Sequence, residues 1–308
     1  MMSQTKKIVS AVESGKKVRF NRWKNMSIGA RISVCVLISV VLISVFARFI
    51  TPYSPDKVFT DAILAHPSGS HLFGTDYAGR DVLSRLLMGG RFSIVIGLCS
   101  AFIALFFGAI IGSIAAVVRR SLSEVIMRIM DIIMAVPGIA MAAVMVLVFS
   151  GIFKDGNRVG LVAVIIVAIS FVYTPQLARI VRANVMAAYG EDYVRAVIVS
   201  GARAPWILVK HVIRNTAAPV LVFATVLVAD AIILEASLTF IGSGLQSTMV
   251  PTWGNVLSDA SANGSIIYGA WWTALFPGLL LMITVLCLNI LSEGITDAMV
   301  AAPASAPA

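Results

Sequence analysis

Acidic residues inside apolar stretches are the first candidates for chemistry in this sequence. Asp230 and Glu235 lie in the run 216–240. An ionisable side chain in such surroundings is costly, which makes both residues candidates for contact with a solute. For Glu235 the alternative is a structural role at an outer interface. Asp131 lies near the beginning of another apolar run, 127–152, where we expect it to pair with Arg128 or Arg119.

A second group of charged residues lies between positions 74 and 85. Two glycines there accompany acids and arginines in close alternation: Gly74, Asp76, Gly79, Arg80, Asp81 and Arg85. These side chains could bind a solute, or they could pair with one another and fix the shape of a loop. Because opposite charges lie so close together in sequence, we favour local pairing.

Metal binding and catalysis find little support in the sequence. His66 and His71 lie in one polar segment, but the apolar runs hold no His or Cys cluster, so a structural role is favoured over a metal site. There is no P-loop, no H-E-x-x-H motif and no nucleophile paired with a base. We therefore predict no catalytic residues and no ATP hydrolysis by this chain. A hydrolase acting inside the membrane would need a serine and a histidine that face each other at membrane depth. His211, the one histidine outside the segment 51–91, lies between apolar runs in the loop 188–215.

The elements that carry these residues are long apolar runs. Hydrophobic residues make up 59% of the 308 residues and charged residues only 13%, and about 20 apolar residues in helix span a bilayer. The sequence predicts an all-α membrane protein with six transmembrane helices, at 30–50, 92–118, 127–152, 160–182, 216–240 and 270–291. Pro137, Pro175 and Pro277 interrupt three of these runs, where they mark either packing kinks or a moving gate. Together with Asp230 and Glu235 they form the predicted gate or pore set.

Basic residues predict the orientation. The tail 1–29 is rich in Lys and Arg and holds one acid, Glu13, so it should be cytoplasmic. The segment 51–91 then becomes an extracytoplasmic cap, 92–291 a five-helix core, and 292–308 a cytoplasmic tail whose end, 301–308, is of low complexity. The net charge of +9 follows this topology, and no basic stripe with interleaved aromatic residues indicates nucleic acid.

The most informative loop, 188–215, should lie in the cytoplasm. Glu191 and Asp192 suit the start of a helix, Gly201 suits a left-handed turn after its end, and Pro205 suits the first turn of a second helix. Tyr193, Val194, Val197 and Ile198 then form an apolar face, which predicts docking into a groove.

This loop resembles that of the permease subunits of ATP-binding-cassette (ABC) importers. Small residues, then a glycine, then apolar positions occur here as Ala196, Val197, Gly201, Ile207 and Leu208. The sequence departs from the family pattern at Arg195, Val197 and Arg214, which occupy an acidic, a small and a proline position. The resemblance implies a coupling helix that docks into a cleft of an ATPase subunit. It comprises Glu191, Asp192, Tyr193, Val194, Arg195, Ala196, Val197, Ile198, Gly201 and Ala202.

Further blocks are similar to the second pore subunit of the dipeptide, oligopeptide and nickel permeases. They are His71–Arg85, Glu235–Gly242, Pro251–Gly254 and Trp271–Asn289, in the family's order. The resemblance implies a six-helix domain of the type I ABC importer kind, in a bacterial inner membrane, that imports di- or oligopeptides. Nickel or another small solute stays open as cargo, and a stand-alone secondary transporter is the other alternative, although it would not need the loop 188–215.

The same resemblance implies the partners. They are a homologous second permease, two cytoplasmic ATP-binding subunits, an extracytoplasmic binding protein and membrane lipid. It also implies that this chain binds no cofactor, because ATP and Mg belong to the partner subunits. Independently of the resemblance, the position of Trp271 and Trp272 at the outer end of the last apolar run predicts that they are anchors at the membrane interface.

Overall fold

The computed structural model describes residues 26–153, 157–202, 204–245 and 250–300. The predictions for most of the tail 1–29 and for 301–308 lie outside these residues. Within them the chain is built of helices: α1 Ile28–Val45, α2 Ala47–Ile50, α3 Val82–Val117, α4 Arg120–Ala135, α5 Gly138–Ser150, α6 Arg158–Tyr189, α7 Asp192–Val199, α8 Ala204–Ile207, α9 Ile213–Phe240, α10 Trp253–Ala262 and α11 Trp272–Val300. A π-helical turn, Leu208–Val212, joins α8 to α9.

Polar residues begin several of these helices by accepting hydrogen bonds from free backbone N–H groups. The Asp81 carboxylate accepts from the Ser84 N–H at the start of α3, and the Asn157 side chain accepts from the Gly160 N–H at the start of α6. At α10, Thr252 and Asn255 form a reciprocal capping box. The ends of the long helices are therefore specified by local sequence.

Among the described residues, five helices are long and apolar enough to cross a membrane, namely α1, α3, α6, α9 and α11, and the pair α4 and α5 would make six. This agrees with the predicted number of spans, and five of the predicted runs lie on these helices. Large apolar side chains on the outside of the bundle, such as Phe102 and Phe106 on α3, are more than half exposed. Such side chains suit lipid rather than water.

The third predicted span is wrong in detail. The run 127–152 is not one helix, because α4 and α5 meet at an angle of 86°, and α4 already begins at Arg120, in what was predicted to be a loop. The break has a local cause: Val136, which precedes Pro137, is extended with φ −83° and ψ 132°, and a following proline disfavours helical backbone. At 13 residues, or about 20 Å, α5 is too short to cross the bilayer alone.

Close packing of α3 against α6 forms the centre of the bundle. A Cβ atom on Gly108 would lie 2.8 Å from Leu177 Cβ, and one on Gly112 would lie 2.4 Å from the Ala178 carbonyl oxygen. The G-x-x-x-G pair therefore allows two backbones to approach as such motifs do in membrane helices. Around this contact the buried side chains of α3, α5, α6 and α9 form one apolar cluster, and those of α3, α6, α7 and α9 form another.

Candidate functional site

The charged residues of positions 74–85 form a buried ionic cluster. Asp76 accepts a hydrogen bond from Arg80 Nε at 2.8 Å and lies 3.5 Å from Arg85 Nη1. Its other oxygen accepts the backbone N–H groups of Ala78 and Arg80 at 2.9 Å each. Arg85 is 0% exposed and Asp76 5% exposed, so these charges are held inside the protein rather than presented to a solute.

One member of this cluster is distant in sequence. Asp259, on α10, lies 3.2 Å from Arg80 Nη2 and 3.5 Å from Arg85 Nη2. Asp259 was not predicted from the sequence, because nothing in the local pattern of α10 connects it with a segment more than 170 residues earlier. The pairing is therefore only partly local, and it connects residues 51–81, here called the cap segment, to α10. The cap segment is shorter than the predicted 51–91, because α3 already begins at Val82.

Asp81 has different partners from the predicted ones. One of its oxygens lies 2.9 Å from His71 Nδ1, and the other accepts from Ser84 Oγ at 2.7 Å and from the Ser84 N–H. It therefore caps α3 and fixes His71 instead of pairing with an arginine. Among the described residues no group of three His, Cys, Asp or Glu side chains is arranged to hold a metal ion.

Two glycines of the cap segment have positive φ. Gly74 has φ +71° and Gly79 has φ +73°, and a Cβ atom at Gly79 would lie 2.4 Å from the Phe59 carbonyl oxygen. Trp272 is 1% exposed, and its Nε1 donates to the Thr75 carbonyl at 3.1 Å. The prediction of an interfacial anchor is therefore wrong for Trp272, which connects the cap segment to α11, while Trp271 is half exposed.

The predicted coupling segment has the predicted helix, turn and second helix. Gly201 has φ +85°, which confirms its left-handed turn. The Gly201 N–H donates to the Ile198 carbonyl at 3.0 Å and the Ala202 N–H donates to the Val197 carbonyl at 3.4 Å. These two bonds form a Schellman motif, which closes the end of α7.

The apolar face of α7 is divided between two surroundings. Val194 is 0% exposed and belongs to a buried cluster with Leu177 and Val181 of α6, so it packs against this chain and is not available to a partner. Ile198 and Val199 are 46% and 87% exposed. The side that α7 presents therefore differs from the predicted face, because Val194 joins α7 to the bundle.

The prolines and acids of the predicted pore set occupy distinct places. Pro137 separates α4 from α5, whereas Pro175 and Pro277 each lie within one continuous helix, as does Pro219. Asp131 pairs with Arg179 of α6, and the predicted pairing with Arg128 or Arg119 is wrong. The pair of Asp131 with Arg179 was not predicted, because the bend at Pro137 turns α4 across α6.

The two acids of α9 differ in their surroundings. Glu235 is 0% exposed, and its carboxylate accepts from Ser93 Oγ and Thr239 Oγ1, both at 3.3 Å. Ser93 Oγ also accepts the Trp253 N–H at 3.1 Å, so Glu235 is part of a polar contact between α3, α9 and α10. Asp230 is only partly buried, and the Tyr173 hydroxyl donates to its backbone carbonyl at 3.1 Å.

Comparisons with known proteins identify relatives of this chain in sequence and in fold. The family described as "Binding-protein-dependent transport system inner membrane component" matches residues 104–302. The dipeptide transport system permease protein DppC of Escherichia coli (strain K12) is 35% identical over 277 residues, which cover 88% of each chain. The di/tripeptide transport system permease protein DppC of Pseudomonas aeruginosa (strain UCBPP-PA14) is also 35% identical, over 88% of this chain and 87% of its own.

A putative peptide transport system permease protein of Brucella suis biovar 1 is 36% identical over 87% of this chain and 86% of its own. Among solved structures, a chain from the inward facing conformations of the MetNI methionine ABC transporter has a TM-score of 0.57 and 20% identity, over 70% of this chain and 96% of that chain. This structure supports the fold of a type I ABC importer permease. The chain belongs to the family of inner membrane components of binding-protein-dependent transport systems, and it is a permease component of an ABC importer in the bacterial inner membrane.

Proposed function

We propose that this chain forms one half of the membrane pore of an ATP-driven importer of di- and oligopeptides. The observation that carries the proposal is the 35% identity to a dipeptide permease over 88% of both chains. Relatives named for di/tripeptide and peptide transport support the same cargo class. Nickel remains the second candidate cargo, and it would require ligands that the described residues of this chain do not group together.

The proposed complex contains a homologous second permease, two cytoplasmic ATP-binding subunits and an extracytoplasmic binding protein. ATP and Mg belong to the ATP-binding subunits, and this chain contributes no cofactor site. The family description supports the binding protein. The exposed apolar side chains of α7, Ile198 and Val199, support a docking surface for an ATPase.

The orientation follows from that assembly. We place α7 and both chain ends in the cytoplasm, and the cap segment with α10 on the opposite side, where a binding protein would meet it. Closure of the ATPase pair would displace α7, and because Val194 is buried against α6, α7 would move together with the bundle rather than separately.

The test is reconstitution of the complex in liposomes. A tagged copy of the chain is purified with its natural partners, mass spectrometry identifies the subunits, and uptake of radiolabelled dialanine is measured with the binding protein, with and without ATP. We expect the uptake of dialanine to require ATP. Other dipeptides should inhibit this uptake, and nickel should not. ATP-dependent nickel uptake in place of peptide uptake would refute the proposed cargo, and uptake without any ATP-binding subunit would support a secondary transporter.

A pair of variants tests the coupling role. Ala196 is an exposed residue of α7 and Ala262 is an exposed residue at the end of α10, at the opposite end of the bundle. Ala196→Glu should weaken ATPase binding or uncouple ATP hydrolysis from uptake. Ala262→Glu should bind the ATPase as the wild type does. Wild-type assembly and coupling in Ala196→Glu would show that α7 is not the coupling helix.

A further inference from the structure

Asp230 occupies the middle of a membrane-spanning helix. The apolar part of α9 is Thr216–Phe240, and at 1.5 Å per residue Asp230 lies about 21 Å from the first of these residues and about 15 Å from the last. Half the thickness of the hydrocarbon core is also about 15 Å. The carboxylate therefore lies close to the centre of the bilayer.

The Asp230 carboxylate has no hydrogen-bond or ion-pair partner among the described residues, in contrast to the other acids nearby. Glu235, one and a half turns further along α9, is enclosed and accepts hydroxyl hydrogen bonds, and Asp131 is paired with Arg179. An unpaired carboxylate at this depth is unfavourable unless it faces water or a cation. Because Asp230 is partly exposed, the helix presents it to whatever lies beside the bundle.

A cleft with polar groups shares Tyr173 with the surroundings of Asp230. Tyr173, whose hydroxyl reaches the Asp230 backbone, also lines a cleft of about 210 Å³ at the break between α4 and α5, together with Gln176, Met134 and Met141. This volume is below the range of about 300–1,000 Å³ that is usual for pockets enclosing a whole ligand. A passing solute would therefore contact the cleft with one part only. The flexible methionine side chains suit solutes of varied shape.

We propose that Asp230 binds the α-ammonium group of a peptide as the peptide crosses the membrane, with Tyr173 and Gln176 beside it. An ammonium group offers three donors and a carboxylate is an acceptor only, and charge-assisted hydrogen bonds of this kind are stronger away from water. The free amino terminus is the cationic group that unmodified peptides of any sequence share. One carboxylate is thus sufficient for a broad range of cargo, and this inference rests on the proposed peptide import.

The first test compares isosteric and charge-conserving variants in the reconstituted complex. We expect Asp230→Asn to lower the maximal rate of dialanine uptake at least tenfold, with normal assembly and an unchanged half-saturating concentration of the binding protein. Asp230→Glu should retain most of the rate. Asp297→Asn is the matched control, because this residue is exposed near the end of α11, and it should transport as the wild type does.

The second test locates the peptide directly. A dipeptide with a diazirine on its N-terminal side chain is photolysed during turnover, and the labelled residues are identified by mass spectrometry. We expect labels on the helices that carry Tyr173 and Asp230, and weaker labels in Asp230→Asn. Labels confined to other segments would refute the site.

The outcomes separate the two proposals. Wild-type complexes that take up no peptide would refute the proposed function. Equal peptide uptake by wild type and Asp230→Asn would refute only the role of Asp230. Loss of assembly in Asp230→Asn that Asp230→Glu restores would also refute this role, because it would assign the carboxylate to a contact with the second permease.

Discussion

Gly201→Val is the sharpest test of the turn that closes α7. Gly201 has φ +85°, and a Cβ atom there would have no neighbour within 4 Å. The substitution therefore creates no clash, and its whole effect arises from the backbone conformation. We expect membrane insertion to remain normal, because the turn lies outside every membrane-spanning helix.

The free-energy cost of Gly201→Val can be estimated for two cases, in which the turn either keeps its left-handed backbone or leaves it. A residue with a Cβ atom costs roughly 1–2 kcal/mol in the left-handed region, and a β-branched one more. If the turn instead leaves that region, it loses the hydrogen bonds from Gly201 to Ile198 and from Ala202 to Val197, which contribute about 1 kcal/mol each. Either route amounts to roughly 1–2 kcal/mol, which corresponds to a change of about 5- to 30-fold in an equilibrium such as ATPase docking.

The assay is ATPase activity and dipeptide uptake in proteoliposomes, with assembly measured by gel filtration. Gly201→Asn should behave nearly as the wild type does, since Asn adopts left-handed backbone readily. Gly151→Val is the matched control, because Gly151 is also free of neighbours and has an ordinary φ of −61°. Equal coupling in Gly201→Val and the wild type, or equal loss in Gly201→Val and Gly201→Asn, would refute the reasoning.

Two further predictions concern packing inside the protein and a third concerns its orientation in the membrane. Arg85→Ala should lower the thermal stability and the assembly yield of the complex before it changes cargo choice, because removing one partner of a buried ion pair costs about 3–5 kcal/mol; normal assembly with altered cargo would assign the cluster with Asp259 to the substrate. Gly112→Leu should reduce the yield of folded protein in detergent, since even a Cβ atom would lie 2.4 Å from a backbone oxygen, and normal yield would contradict the tight α3–α6 contact. With the native cysteines replaced, a cysteine at Ser200 should react with impermeant maleimide only from the cytoplasm and one at Ser68 only from the opposite side, and the reverse pattern would invert the topology.

The features that the sequence predicted well are those with local causes. A left-handed turn at Gly201 needs only a glycine after an apolar helical pattern. The same holds for the Asp76–Arg80 pair, whose members are only four residues apart in sequence. In each case the interaction depends on residues that a short window already contains.

The features that the sequence did not predict depend on tertiary contacts. Asp259 joins the ionic cluster only because the chain returns α10 to the cap segment, and Asp131 finds Arg179 only because α4 crosses α6. Prolines illustrate the same limit. Pro137 breaks a helix, whereas Pro175 does not. Near Pro175 the hydroxyl of Thr174 donates to the Ser170 carbonyl at 2.7 Å, and α6 continues through the proline as one helix.

Val194 lies between the two parts of the molecule to which we assign roles in transport, namely α7 and the middle of α9. It is buried with Leu177 and Val181 of α6 and with Leu227 of α9, and Tyr173 packs against the same cluster. Leu227 lies one turn before Asp230, and Tyr173 donates to the Asp230 carbonyl. Close-packed side chains of this kind transmit displacement instead of absorbing it. In the proposed transport cycle, a movement of α7 would therefore be passed through this packed cluster to α9, the helix that carries Asp230.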